Sequence, residues 1–199
     1  MLNIDEVRKE HTTHIEALEL EVKTVYTALV LPHWGSELHG FPNTLYGFMM
    51  GVFARIDLFS AHWKGDATSS SQTIRMADLM NTYIFSDREA NSVAVQIWRH
   101  KLMHTSEPRH LLDERTGKVY RWLLHWYEHL PRDQHYTFNE TPNSKILNLG
   151  LVYLIDDLKN GLKAYVADLS TSPMLRRNYK RVQAEVTSYR FKVYRQLQT

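Results

Sequence analysis

The chain has no cysteine among its 199 residues. This absence excludes a disulfide framework and any metal site built on thiolates, and it agrees with a reducing, cytoplasmic location. A phosphate-binding glycine loop is also missing, because Gly47 and Gly51 lack the lysine and the serine or threonine that follow in a P-loop, and no strand precedes them. Nucleotide hydrolysis of the P-loop type is therefore excluded.

Long uninterrupted apolar runs are absent too. The most apolar segment, 45–63, carries Arg55, Asp57 and His62, so it predicts a buried core helix and not a membrane span. Residues 1–10 are polar and of mixed charge, which is unlike a secretory signal peptide. We therefore expect no membrane partner.

An excess of charge of one sign is confined to the end of the chain. The formal net charge is only +2, too small to indicate a nucleic-acid partner by itself. Residues 173–199, however, hold seven basic residues against one acid, Glu185. A helix there, with aromatics interleaved, would suit a nucleic-acid backbone. The alternative is that the aromatics pack inward and the charges are solvated. The aromatics concerned are Tyr179, Tyr189, Phe191 and Tyr194.

Apolar residues recur at helical spacing through most of the sequence. We expect the first helix to end at Pro32. The fourth helix should begin at Ser86, because Ser86 and Glu89 form a capping box, and it should end before Pro108. The predicted helices are 3–31, 45–63, about 74–83, about 86–107, 150–169 and a basic helix at about 173–199.

The period changes between 109 and 149. Segments 109–112 and 119–126 flank a turn sequence at 113–118, which predicts a β-hairpin, and 135–138 and 145–148 are candidate short strands. The fold class expected is mainly α: an up-down helical bundle forming a single domain over 1–199, with a small antiparallel β-hairpin or meander inserted at about 109–149.

An arginine and a histidine stand near the predicted end of the fourth helix, in the sequence Arg99-His100-Lys101-Leu102-Met103-His104. Arg99 could hold a phosphate oxygen, and His104 could transfer a proton near neutral pH. The alternative is structural, with both side chains satisfying the helix end. In an ideal α-helix five residues rotate by about 500°, so the two side chains point roughly 140° apart. Convergence therefore needs local distortion or a second subunit.

The motif Arg99-His100-x-x-x-His104 resembles that of the HEPN family, small helical domains of bacterial RNases, toxins and defence systems. Two further features resemble the family: the isolated carboxylate in Ile56-Asp57-Leu58, and the segment from Ile74-Arg75 to Tyr83. The resemblance covers roughly 45–108. It implies a homodimer in which Arg99 and His104 of both subunits form one composite site that cuts RNA without metal or other cofactor.

The same resemblance implies roles for the neighbouring residues. Asp57 would orient the catalytic pair or bind Arg75, and His100, Lys101 and Arg75 would contact the substrate. Some members of the family only bind, so a non-catalytic module that recognises nucleic acid or a protein partner, such as an antitoxin, is the alternative.

A rival chemistry is a zinc hydrolase. The segment His125-Trp126-Tyr127-Glu128-His129 matches the pattern in which two histidines bind zinc from one helical face. That pattern requires a helix, whereas the preceding residues predict a strand. His11 and His14 are a second candidate pair, which we interpret instead as surface and boundary residues of the first helix.

Overall fold

The computed structural model describes residues 2–33, 42–101, 110–126 and 130–196, and it is mainly helical with one four-stranded sheet. Two π-helices, Tyr26–Val30 and Val95–Lys101, directly continue the first and fourth α-helices. The α-helices are α1 (Ile4–Val25), α2 (Pro42–Lys64), α3 (Gln72–Tyr83), α4 (Arg88–Ala94), α5 (Leu151–Thr171) and α6 (Pro173–Gln196).

Helix α1 begins where the sequence predicts. The side chain of Asn3 accepts hydrogen bonds from the backbone N–H groups of Asp5 and Glu6, and acidic residues in the first turn suit the positive end of the helix dipole. The helix continues through its π-helical turn into a 3₁₀ turn, Leu31–His33. The α-helix itself ends at Val25, before the predicted end at Pro32, and Pro32 lies inside the 3₁₀ turn, where it has no N–H to donate.

The N-cap of helix α4 lies one residue later than predicted. Asp87 is the N-cap, and its carboxylate accepts a hydrogen bond of 3.0 Å from the N–H of Ala90. Glu89 binds Lys145 at 2.9 Å instead of closing a capping box on Ser86. The predicted capping box is therefore wrong, because a tertiary ion pair draws Glu89 away from the helix end.

The strands are β1 (Leu111–Leu112), β2 (Val119–His125), β3 (Thr137–Glu140) and β4 (Ser144–Gly150). Their order in the sheet is β1-β2-β4-β3. The predicted hairpin is confirmed, since β1 pairs antiparallel with β2. The prediction of a wholly antiparallel sheet is wrong: β4 pairs parallel with β2 from Val119↔Ser144 to His125↔Gly150. The chain crosses back after β2, and the β3-β4 hairpin then brings β4 alongside it.

The sheet belongs to the main hydrophobic core and is not a peripheral insertion. Leu147 and Leu149 of β4 are fully buried in the same apolar cluster as the helices. Trp98, also fully buried, lies with its ring centroid 5.0 Å from that of Trp122 on β2. This contact fixes the π-helix Val95–Lys101 against the sheet, one residue before Arg99.

Within the part of the chain that is described, no helix is long and apolar enough to cross a membrane. Helix α2, the most apolar by sequence, packs inside the molecule through Met49, Val52, Phe53 and Ile56.

Candidate functional site

The carboxylate of Asp57 joins two arginines from two other elements. Arg75 of α3 donates to its Oδ1 atom at 2.7 Å, and Arg99 of the π-helix donates to its Oδ2 atom through Nε and Nη2, both at 3.3 Å. The sequence left open whether Asp57 pairs with Arg75 or orients Arg99, and in the structure it contacts both. Three residues separated by up to 42 positions thus form one cluster.

The three side chains differ in their access to solvent. The Arg75 side chain is 4% exposed, whereas those of Asp57 and Arg99 are 18% and 21% exposed. A guanidinium as buried as that of Arg75 requires a counter-charge, because an unpaired buried ion costs several kcal/mol. Asp57 therefore has a structural role toward Arg75, while Arg99 is the cation of the cluster that solvent can reach.

Further polar groups hold this arrangement. Gln72, at the start of α3, donates from its side-chain amide to Oδ2 of Asp57. Arg75 donates from Nη1 to the backbone carbonyl of Thr68. Gln72 and Arg75 are three residues apart, so they lie on one face of α3. Sequence reasoning missed both Gln72 and Thr68, and the i,i+3 spacing was the one signal available for Gln72.

The loop before α3 is stiffened by a second carboxylate. Asp66 accepts hydrogen bonds from the hydroxyl of Ser71 at 2.6 Å and from the N–H of Thr68 at 2.8 Å. These hydrogen bonds lower the pKa of Asp66 to about 2, and the one from the Ser71 hydroxyl contributes most. The carbonyl of Thr68 that receives Arg75 is held in place by this network.

The cluster carries a net charge of +1 from two guanidinium groups and one carboxylate. The hydrogen bonds described for Arg99 use its Nε and Nη2 atoms. A guanidinium of this kind suits a phosphate oxygen, since its planar fork matches the geometry of that anion.

Arg99 lies in a π-helix and not in the α-helix that the sequence predicts. Backbone hydrogen bonds in a π-helix join residues five apart, so such residues lie close to one face. The divergence expected between Arg99 and His104 assumed an α-helical turn, whereas the helix is π-helical through Lys101. His104 lies outside the described residues, as do the side chains of His100 and Lys101. The structure therefore brings together Asp57, Arg75 and Arg99 of the predicted site residues.

The zinc-binding interpretation of 125–129 has no helical support. His125 is the last residue of β2, so the helical face that the motif requires is absent at its first histidine; residues 127–129 lie outside the described part. No group of three histidine, aspartate or glutamate side chains suited to a metal occurs among the residues that are described.

The interpretation of His11 as a surface or boundary residue is wrong, although its neighbour His14 is exposed. His11 is buried on α1, and its Nε2 atom lies 3.2 Å from the hydroxyl of Tyr179 on α6. His62 of α2 stacks on the same tyrosine, with ring centroids 4.1 Å apart. Burial lowers the pKa of each histidine to about 4. Tyr179 thus packs inward, whereas the side chains of the later aromatics of α6 lie outside the described residues.

Comparison of the chain with models of protein families, with curated proteins and with solved structures finds no match in any of the three.

Proposed function

We propose that this protein is a metal-independent endoribonuclease of the HEPN type that acts as a homodimer, with Arg99 and His104 at its catalytic centre. The observation that carries the proposal is the contact of Arg99 with Asp57. The partly exposed guanidinium of Arg99 lies in a π-helical turn and binds the carboxylate of Asp57. The same carboxylate is bound by the buried Arg75. π-helical turns occur frequently at functional sites.

The reaction uses a nucleophile that RNA itself supplies. The 2′-hydroxyl attacks the adjacent phosphorus and loses its proton to a base, the bond from phosphorus to the 5′ oxygen breaks, and that oxygen takes up a proton. His104 serves as general base or general acid, and the partner subunit supplies the second histidine. Arg99 stabilises the negative charge that builds on the non-bridging oxygens. The products are a 2′,3′-cyclic phosphate and a 5′-hydroxyl.

Asp57 and Arg75 are positioning residues in this scheme. Arg75 is buried and bound to Asp57 and to the Thr68 carbonyl, so it acts on the substrate through Asp57 and does not contact it. The two hydrogen bonds from Arg99 to Asp57 are long, and a phosphate with two free oxygens competes well for the same fork. Gln72 still donates to Asp57 when Arg99 turns to the substrate.

The test is cleavage of single-stranded RNA by the purified protein in excess EDTA, with product ends analysed for the cyclic phosphate. We expect cleavage by the wild type and its loss in Arg99→Ala and in His104→Ala. Arg121→Ala is the matched control, because Arg121 is an exposed arginine on β2. Unchanged cleavage in His104→Ala, or cleavage that requires a divalent cation, contradicts the proposal.

The alternative is a module that binds nucleic acid without cutting it. In this alternative the ion pair of Arg99 with Asp57 is structural and takes no part in a reaction. This alternative predicts RNA binding that weakens steeply with salt, because each neutralised phosphate releases counterions, and no cleavage in any condition. Salt-independent binding of a protein partner, such as an antitoxin, would instead identify a protein-interaction module.

A further inference from the structure

The first half of helix α6 has an apolar face in the core and a basic face in solvent. Its buried side chains are Leu175, Tyr179 and Val182. Arg177, Lys180 and Arg181 are exposed. Arg177 stands three positions before Lys180 and four before Arg181 in a regular α-helix, so its side chain neighbours both, with Cβ atoms about 5–6 Å apart. Three cations therefore lie close together on the outer face of α6.

A fourth cation comes from the end of helix α2. Asn178 of α6 donates from its side-chain amide to the backbone carbonyl of Trp63 at 2.8 Å, which attaches α6 to this end of α2. A Cβ atom on Gly65, the residue after α2, would lie 2.5 Å from Nη2 of Arg181. The guanidinium of Arg181 therefore lies against Gly65, next to the exposed Lys64. The four cations Lys64, Arg177, Lys180 and Arg181 are called the basic patch below.

The basic patch carries an excess of positive charge. None of its four cations forms an ion pair with a carboxylate in the described part of the chain. Asp66 stands beside Gly65, but its carboxylate accepts hydrogen bonds from Ser71 and Thr68. Glu185 is the single acid between 173 and 185. The charge of the patch is therefore open to an anionic partner.

The segment 65–72 connects the basic patch with the candidate site. Arg181 lies against Gly65, the first residue of this segment. Gln72, the last residue, donates to Asp57, the partner of Arg99. The Cα atoms of Gly65 and Gln72 are at most about 25 Å apart, because seven residue steps cannot span a greater distance. A polynucleotide strand of several nucleotides can therefore contact both places.

We propose that the basic patch binds the phosphate backbone of the RNA strand, several nucleotides away from the phosphate held by Arg99. Lysine and arginine clustered along one helix face are typical of nucleic-acid binding. A membrane surface fits less well, because it requires an exposed apolar face. Of the described large apolar residues of α6, Met174 alone is exposed. The inference rests on the proposed function for the identity of the strand, whereas the binding itself does not depend on cleavage.

The experiment measures binding of a fluorescein-labelled single-stranded RNA by anisotropy over a range of salt concentrations. Methylation of its 2′-hydroxyls removes the nucleophile, so the proposed reaction cannot cut it. Arg177→Ala/Lys180→Ala changes the two cations of the patch that lie away from the end of α2. The double variant should weaken binding at least about tenfold, and its slope of log K against log salt should be flatter by about 1.4, since each phosphate contact of a single strand contributes about 0.7.

The matched control is Arg88→Ala/Arg121→Ala, which removes the same charge from two exposed arginines of α4 and β2. It should weaken binding by less than about threefold and keep the wild-type slope, because only the general attraction of the protein for RNA is reduced. Equal effects of the two double variants, or binding that ignores salt, overturn the basic patch. Vesicles of phosphatidylserine and phosphatidylcholine test the lipid alternative. If Arg177→Ala/Lys180→Ala weakens vesicle binding but not RNA binding, the proposal is overturned in favour of a membrane contact.

Cleavage of unmodified RNA separates this inference from the proposed function. Arg177→Ala/Lys180→Ala should raise the KM for cleavage. If the wild type cuts no RNA but binds the methylated RNA through Arg177 and Lys180, the nuclease fails while the basic patch stands. Cleavage and binding that are both unchanged in this double variant overturn the patch and leave the nuclease.

Discussion

Arg99 donates two hydrogen bonds of 3.3 Å to the same carboxylate oxygen of Asp57. The second oxygen of that carboxylate receives Arg75 at 2.7 Å. Asp57 thus makes a short contact with the buried Arg75 and longer contacts with the partly exposed Arg99. Removal of the carboxylate should therefore affect the two arginines differently, because Arg75 is buried and Arg99 is partly exposed.

Asp57→Ala should destabilise the protein by about 3–5 kcal/mol, because it leaves the nearly inaccessible guanidinium of Arg75 without a counter-charge. Urea unfolding monitored by circular dichroism measures this loss. Asp5→Ala is the control: it breaks the exposed Asp5–Arg8 pair and should change stability by no more than about 1 kcal/mol. A similarly small effect of Asp57→Ala would show that Arg75 does not depend on this carboxylate.

Arg99→Ala should cost far less stability than Asp57→Ala, on the order of 1 kcal/mol, because Asp57 keeps Arg75 and Gln72 as partners. RNA cleavage should nevertheless fall by a factor of about 100 to 1,000, the loss typical of one transition-state donor. Arg99→Lys should recover little activity, since lysine carries the charge but not the planar fork. Stability and cleavage rate measured on the same samples test this separation. Equal losses of stability in Arg99→Ala and Asp57→Ala would mean that Arg99 is a structural residue.

Acidification should destabilise the junction of α1, α2 and α6. Burial lowers the pKa of His11 and of His62 from 6.5 to about 4. The unfolded chain therefore binds protons at these positions when the folded chain does not, so stability is complete above about pH 6.5 and falls as the pH drops toward 4. The combined loss should amount to a few kcal/mol.

His62→Phe tests this origin of the acid sensitivity. Phenylalanine keeps an aromatic ring for stacking on Tyr179 but has no group to protonate. The urea midpoint of this variant should fall less steeply between pH 6.5 and 5 than that of the wild type. His14→Phe, at an exposed position of α1, should retain the wild-type slope. Identical slopes in all three proteins would assign the acid sensitivity to the carboxylates.

Asp87→Ala should destabilise the protein by about 1 kcal/mol through loss of the helix N-cap. Ser86→Ala should cost less than about 0.5 kcal/mol, as at an ordinary surface position. Thermal unfolding of the two variants side by side makes the comparison. A larger loss of stability in Ser86→Ala than in Asp87→Ala would support the capping box predicted from the sequence.

Some helix bounds depend on residues that are neighbours in the sequence, and others depend on contacts between distant residues. Asn3 acts on backbone groups two and three residues away, so the start of the first helix could be predicted from the sequence. Ser86 and Asp87 are both good caps by residue type. The choice between them depends on Lys145, which lies 56 positions beyond Glu89.

The residues of the candidate site could likewise be predicted from the sequence only in part. Arg99, Asp57 and Arg75 could each be identified from the sequence as unusual or motif residues, but not the way in which Asp57 is shared between the two arginines. Gln72 had no local signal beyond its spacing from Arg75. The π-helix Val95–Lys101 also escaped prediction, since its wider turn is stabilised by distant contacts, such as that of Trp98 with Trp122.

Periodicity and capping act over a few neighbouring positions, so most of the helical segments and the β1-β2 hairpin could be predicted from the sequence. The parallel pairing of β2 with β4, the burial of His11 against Tyr179, and the joining of Asp57 to Arg75 and Arg99 follow from the tertiary structure alone. Each of these depends on the packing of groups far apart in the chain, where burial fixes which charges and hydrogen bonds must meet.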